Sequence, residues 1–161
     1  AWSWWDDAKR ESQLPYLPLD GDVPANPGNP YGLSKQAGEI MLAYFSKQEG
    51  LTCRAARFPS LTTSDMMERW GKRGYRGENI DEAFTYLSFS SAADLVGAFL
   101  KADLAGFRVW FPCCRENRHK KPVRELVAEH YPKVPLRIPL EQMDSLVDVS
   151  AIEAETGWKP A

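Results

Sequence analysis

Apolar residues recur most regularly between residues 31 and 49, where Leu33, Ala37, Ile40, Met41, Tyr44 and Phe45 fall at the three- and four-residue steps of a helix. Pro30 suits a helix's first turn and Gly50 supplies a stop, so the pattern predicts a helix over 31–49 with one apolar face. Gly38 inside it costs about 1 kcal/mol relative to Ala, which the close approach of another helix would explain. Residues 51–58 alternate enough, with Cys53, Ala55 and Phe58, to predict a strand that Pro59 ends. Thr63-Ser64-Asp65 opens a short helix within 62–76 around Met66, Met67 and Trp70. A short strand at 85–89 precedes a helix capped by Ser90 and running to Leu104, with Ala93, Val96, Leu100 and Leu104 inward. A strand at 107–111, a helix at 122–130 opened by Pro122, an extended run at 134–138 and a last helix at 151–155 capped by Ser150 complete the pattern. Residues 1–29 differ: Pro15, Pro18, Pro24 and Pro27 punctuate a stretch with almost no periodicity, which predicts a long loop. Such a lead inside a compact domain is usually functional. Helix alternating with strand points to the α/β class.

Composition narrows the function classes. At 161 residues, 43% apolar and 26% charged, the chain suits one soluble globular domain. A net charge of −2 argues against general nucleic-acid or membrane-surface binding, and no apolar run approaches the roughly 18 residues of a spanning helix. Cys53, Cys113 and Cys114 form no CxxC, and the expectation is reduced, mostly buried thiols of a cytoplasmic protein. His119 and His130 have no partner at metal-site spacing, so they are expected on the surface, with no metal bound.

The chemical lead is Tyr31 with Lys35 four residues on, which a helix sets on one face about 5–6 Å apart at Cβ. An ammonium beside a phenol favours the phenolate, so the pair can exchange a proton with a hydroxyl or carbonyl. The spacing alone carries little weight, because six tyrosines would meet a lysine at that step about 0.3 times by accident. The text around the pair carries more. Pro30-Tyr31-Gly32-Leu33-Ser34-Lys35 followed by Gly38-Glu39, the lead Leu17-Pro18-Leu19-Asp20-Gly21-Asp22-Val23-Pro24, the strand-and-turn Cys53-Arg54-Ala55-Ala56-Arg57-Phe58-Pro59 and the terminal Thr156-Gly157-Trp158-Lys159-Pro160 stand in this order. In that order they resemble the extended short-chain dehydrogenase/reductase family of NAD(P)-dependent epimerases, dehydratases and reductases.

The resemblance implies the C-terminal part of a Rossmann-like parallel sheet with a small substrate-binding lobe. Residues 1–29 would be an active-site loop, 30–50 the Tyr/Lys catalytic helix, and 51–161 the last sheet strands and the substrate lobe. Tyr31 would be the general acid/base, and Lys35 would assist it and hold the nicotinamide ribose. Pro59, Ser60 and Leu61 would border the nicotinamide end of NAD or NADP. The substrate would be a sugar, nucleotide-sugar or small hydroxy/keto compound. Ser3 is the candidate for the family's upstream catalytic Ser/Thr, and Ser91 stands where the family often has Asp. The 31–49 helix would pair two copies as a homodimer. The family's dinucleotide turn, Gly-x-x-Gly-x-x-Gly after a first strand, is expected to be absent from this chain. That expectation makes the chain one half of an enzyme, inactive alone, with a noncatalytic association module as the other reading. The basic residues Arg115, Arg118, His119, Lys120, Lys121 and Arg124 would meet a nucleotide-sugar phosphate or form a solvated connecting loop, which Asn117 and the nearby prolines favour.

Overall fold

Residues 4–6, 11–72 and 80–160 are described by a computed structural model. Along the chain run β1 (Trp5–Asp6), β2 (Glu11–Ser12), α1 (Pro30–Glu49), β3 (Cys53–Ala56), β4 (Leu61–Thr62), α2 (Ser64–Gly71) and β5 (Leu87–Ser88). Then follow α3 (Phe89–Lys101), β6 (Phe107–Trp110), α4 (Val123–His130), a 3-10 turn at Leu140–Gln142 and α5 (Ser150–Thr156). The fold is therefore mixed α/β. β3 pairs in parallel with β6, from Cys53 opposite Phe107 to Ala56 opposite Trp110. β4 pairs in parallel with β5, and β1 pairs antiparallel with β2.

α1 forms where the spacing predicts, with signals at both ends. The Asn29 side chain accepts the Gly32 N–H at 2.8 Å, Pro30 occupies the first turn, and Gly50 closes the helix at φ 67°, which glycine adopts without strain. Its apolar face is another matter. The helix lies against β3 and β6, with Gly32 buried and Gln36, Glu39, Leu42 and Ala43 half-buried, while Leu33, Ile40, Met41, Tyr44 and Phe45 are exposed, Ile40 by 64%. The expected helix contact at Gly38 is not made within the described residues, since a Cβ there would meet nothing within 4 Å.

α3 corrects a second expectation. Its cap is Ser88, whose hydroxyl accepts the Ser91 N–H at 3.0 Å, and not Ser90. Ser91, Ala92 and Leu95 are buried, whereas Val96 and Leu100 face out. Each residue turns a helix by about 100°, so a phase read one residue late points the wrong stripe inward.

The predicted loop at 1–29 is also more than a loop. Leu14, Leu17, Leu19 and Val23 enter the core beside Phe84, Leu126, Tyr131 and Ile152. Leu17 and Leu19 make parallel bridges to Leu136 and Val147, the former being what becomes of the extended run expected at 134–138. Gly21 is required where this lead crosses β6, because a Cβ would lie 2.7 Å from the Val109 carbonyl oxygen. At the other end, the Trp158 indole donates to the Ser91 carbonyl at 3.0 Å and ties α5 to α3.

The two histidines, expected on the surface, are half-buried. They pack edge-on to buried Phe84 with ring centroids 5.3 Å (His119) and 5.2 Å (His130) away, and burial above all lowers the pKa of each. Cys53, Cys113 and Cys114 are buried free thiols, and burial pushes Cys113 up. Among the described residues no helix is long and apolar enough to cross a membrane, and no cluster of metal-ligating side chains forms.

Candidate functional site

The first turns of α1 and the exit of β3 form the walls of a groove of about 500 Å³. Tyr31, Lys35 and Glu39 reach it from α1, Arg57 and Pro59 from the end of β3, and Asn26 from the lead. The position follows from connectivity. β3 runs parallel to β6 beneath α1, so the strand's C-terminal end emerges beside the helix N-terminus, where open α/β sheets place their ligand crevices.

Within the groove Lys35 lies over the Tyr31 ring, its Nζ 5.1 Å from the ring centroid, within the range of a cation–π contact. The Tyr31 side chain is 63% exposed, and its hydroxyl is accessible to a ligand entering the groove. The ammonium meets the face of the ring, so the pair is brought together through the π-system.

One arrangement organises the walls. Arg57 grips Glu39 with two parallel hydrogen bonds, Nε to Oε1 at 2.8 Å and Nη2 to Oε2 at 2.7 Å, both side chains being mostly buried. Its remaining nitrogen, Nη1, donates to the Val23 carbonyl at 2.6 Å. A planar guanidinium is suited to this, since it can serve a carboxylate bidentately and still hold a third partner. α1, the end of β3 and the lead are thereby joined at the groove. Glu82 and Phe111 close its other side.

Of the residues singled out in the sequence, Tyr31, Lys35 and Pro59 meet in this groove. Ser60 and Leu61 are not among its lining: the Ser60 carbonyl accepts the Leu87 N–H at 3.2 Å, and Leu61 pairs with Leu87 between β4 and β5. Ser3 lies outside the described residues. Ser91 is buried at the start of α3 and is engaged by its backbone, its N–H on Ser88 and its carbonyl on Trp158. Sequence reasoning missed the Arg57–Glu39 fork and Glu82. The fork's partners are 18 residues apart, and only the strand's return beneath the helix brings them together.

The expectation that the glycine spacing is absent is corrected. Gly71, Gly74 and Gly77 stand three residues apart, but Gly71 ends α2, and Gly74 and Gly77 lie outside the described residues. A dinucleotide turn follows a strand and opens a helix, whereas this one follows a helix. No protein-family model, curated protein or solved structure matches the chain.

Proposed function

We propose that the protein is an NAD(P)-dependent oxidoreductase or epimerase of the short-chain dehydrogenase/reductase type, with a Rossmann-like sheet, acting on a sugar, nucleotide-sugar or small hydroxy/keto substrate. One observation carries the reading: Tyr31 and Lys35 share a helix face and line one groove at the C-terminal end of a parallel strand. The residues present suit the nicotinamide–ribose end of the cofactor. Lys35 offers an ammonium to ribose hydroxyls, Pro59 supplies an apolar wall, and Tyr31 presents its hydroxyl at the same opening. Nothing in the lining resembles a glycine-rich pyrophosphate turn, so the rest of the dinucleotide needs a site elsewhere.

When bound, the cofactor supplies the hydride acceptor or donor. The chain's own contribution is the proton. Tyr31 Oη takes it from a substrate hydroxyl during oxidation and returns it to a carbonyl oxygen during reduction. Lys35 stabilises the phenolate that takes the proton in the first case and is left behind in the second, and the Arg57–Glu39 fork holds the helix face in place while the proton moves. Tyr31→Phe should lower turnover of the active enzyme at least about 10²-fold with cofactor affinity largely kept. Lys35→Met should harm both. Turnover like wild type in Tyr31→Phe would overturn the mechanism. Calorimetry of this chain by itself with NAD⁺ or NADP⁺ should give no saturable binding below about 1 mM, because a ribose hydrogen bond or two cannot offset immobilising the ligand.

A second reading, a noncatalytic association module that forms a homodimer through the 31–49 helix, is favoured by the exposed stripe of Leu33, Ile40, Met41, Tyr44 and Phe45. Sedimentation separates the two. A dimer abolished by Ile40→Glu and Tyr44→Glu, with no turnover in any form, would favour association.

A further inference from the structure

A second cavity, of about 980 Å³, shares no lining residue with the tyrosine groove. One wall is the 118–121 segment, which contributes Arg118, His119, Lys120 and Lys121. The opposite wall is made by two helix starts, Thr63 and Ser64 at α2 and Ser88 and Ser90 at α3. The volume lies within the range of small-molecule pockets.

The basic segment is a connecting loop with Arg115, Lys120 and Arg124 exposed, and its middle is fixed from inside. Asn117 is buried and holds it from inside, accepting the N–H groups of His119 and Lys121 at 3.2 Å each and donating to the Lys121 carbonyl at 2.8 Å. Arg118 is 6% exposed, its backbone N–H on the Phe84 carbonyl at 3.0 Å and its Nη2 on the Thr85 carbonyl. Lys120 sits at φ 54°, an uncommon conformation for a residue with a Cβ. Two lysines are thus held on a fixed turn at the edge of a concavity.

The charges add up to one sign. Each helix start contributes a partial positive charge along with its hydroxyls. Among the described lining residues the only carboxylate is Glu68, which pairs with Lys72 at 2.7 Å. Lys120 and Lys121 have loose, exposed partners, Glu116 at 3.7 Å and Glu129 at 3.9 Å, which a stronger anion would displace. After burial, the charges of Arg118 and Lys121 are the main causes lowering His119, with His130 adding to them.

We propose that this cavity binds the phosphate group of a small phosphorylated molecule, held by Lys120 and Lys121 on one side and the first turns of α2 and α3 on the other. A phosphate offers several acceptor oxygens to donors converging from both walls, which two lysines and two helix starts supply. Net charge of −2 on the whole chain and the concavity of the site favour a small ligand over a nucleic-acid backbone. The proposal takes nothing from the tyrosine groove and stands or falls without it.

The chain's two histidines make a direct test. Inorganic pyrophosphate titrated into the protein, with sodium chloride holding ionic strength constant, is followed by the imidazole proton resonances across pH. Bound phosphate lies beside His119 and raises its midpoint more than that of His130, which is outside the lining and feels the charge only at a distance. Binding should saturate with a dissociation constant below about 1 mM, and Lys120→Asn with Lys121→Gln should weaken it at least about tenfold. Asn suits the backbone at position 120, and both lysines are solvent-facing, so the double variant should fold. Loss of saturation, equal movement of both histidines, or unchanged affinity in the double variant would each overturn the proposal.

Discussion

α1 and α4 are opposite ways of making a helix. α1 has 20 residues, is capped at both ends and buries Gly32 alone. α4 has eight, no side-chain cap bond, and buries Leu126 and Val127. Helices shorter than about 12–15 residues are marginal in water, so α4 exists because the core holds it. α1 has enough length and capping to be locally favoured, and it carries its chemistry on an exposed face. The comparison teaches that a strong local signal and a strong tertiary anchor need not coincide.

The sharpest way to break that contrast is to truncate one side chain on each helix. Leu126→Ala should cost about 2–5 kcal/mol through loss of buried area and the cavity left behind, and Ile40→Ala less than about 0.5 kcal/mol, as surface changes do. Urea denaturation of both variants is the measurement. A cost above about 2 kcal/mol at Ile40 would mean that α1's outer stripe is covered in solution. Arg57→Met, which frees α1 from the strand and the lead, should cost about 2–3 kcal/mol, somewhat below the loss for a fully buried pair. Glu39→Gln in a double-mutant cycle should then recover a coupling above about 1 kcal/mol; additive losses would show that the fork does not join the elements.

A smaller effect depends on pH. Burial, with Glu82 adding to it and the Trp4 backbone opposing, pushes the Asp81 carboxyl up from 3.8 to about 6. The folded chain therefore keeps this proton to higher pH than the unfolded chain does. Stability from Asp81 is full below about 4 and is lost as pH rises to about 6, by about 2 kcal/mol. His119 and His130, lowered in the folded state, act in the opposite sense and lose stability as pH falls below the usual imidazole range. Asp81→Asn measured against wild type between pH 4 and 6 isolates the carboxyl: the variant should lack the decline. A further small change is a gain. Gly38→Ala should stabilise by about 0.5–1 kcal/mol, since α1 has open space there. A loss instead would place another element against that face.

The same contrast explains what was legible in the sequence. α1 could be read to within a residue, because the proline and glycine at its ends act through their own backbone. Tyr31 and Lys35 could be paired for the same reason, a helix fixing the four-residue step. What covers an apolar stripe is decided by elements beyond the helix, and so the sequence shows the stripe 33–45 as one apolar face without showing that the chain's own described residues leave it open. α3 was misphased because Leu87, fixed by pairing with Leu61, sets where the helix starts. The lead read as loop because its buried leucines are separated by prolines and pair singly with 136 and 147, a pattern with no local period. The histidines gave no sign of Phe84, which lies 35 residues before His119 and reaches it only through the fold.

The Arg57 fork also has a consequence for motion. Three segments distant in sequence end on one guanidinium: α1 through Glu39, β3 through Arg57 itself and the lead through Val23. Walls fastened at a common joint cannot breathe independently. Widening the groove by moving α1 away from Arg57 requires releasing two charge-assisted bonds together, which makes that opening a single cooperative event and a rare one. Backbone amides on either side of the joint should exchange with solvent as a unit, with shared protection, and a ligand admitted to the groove would have to pass through its existing mouth.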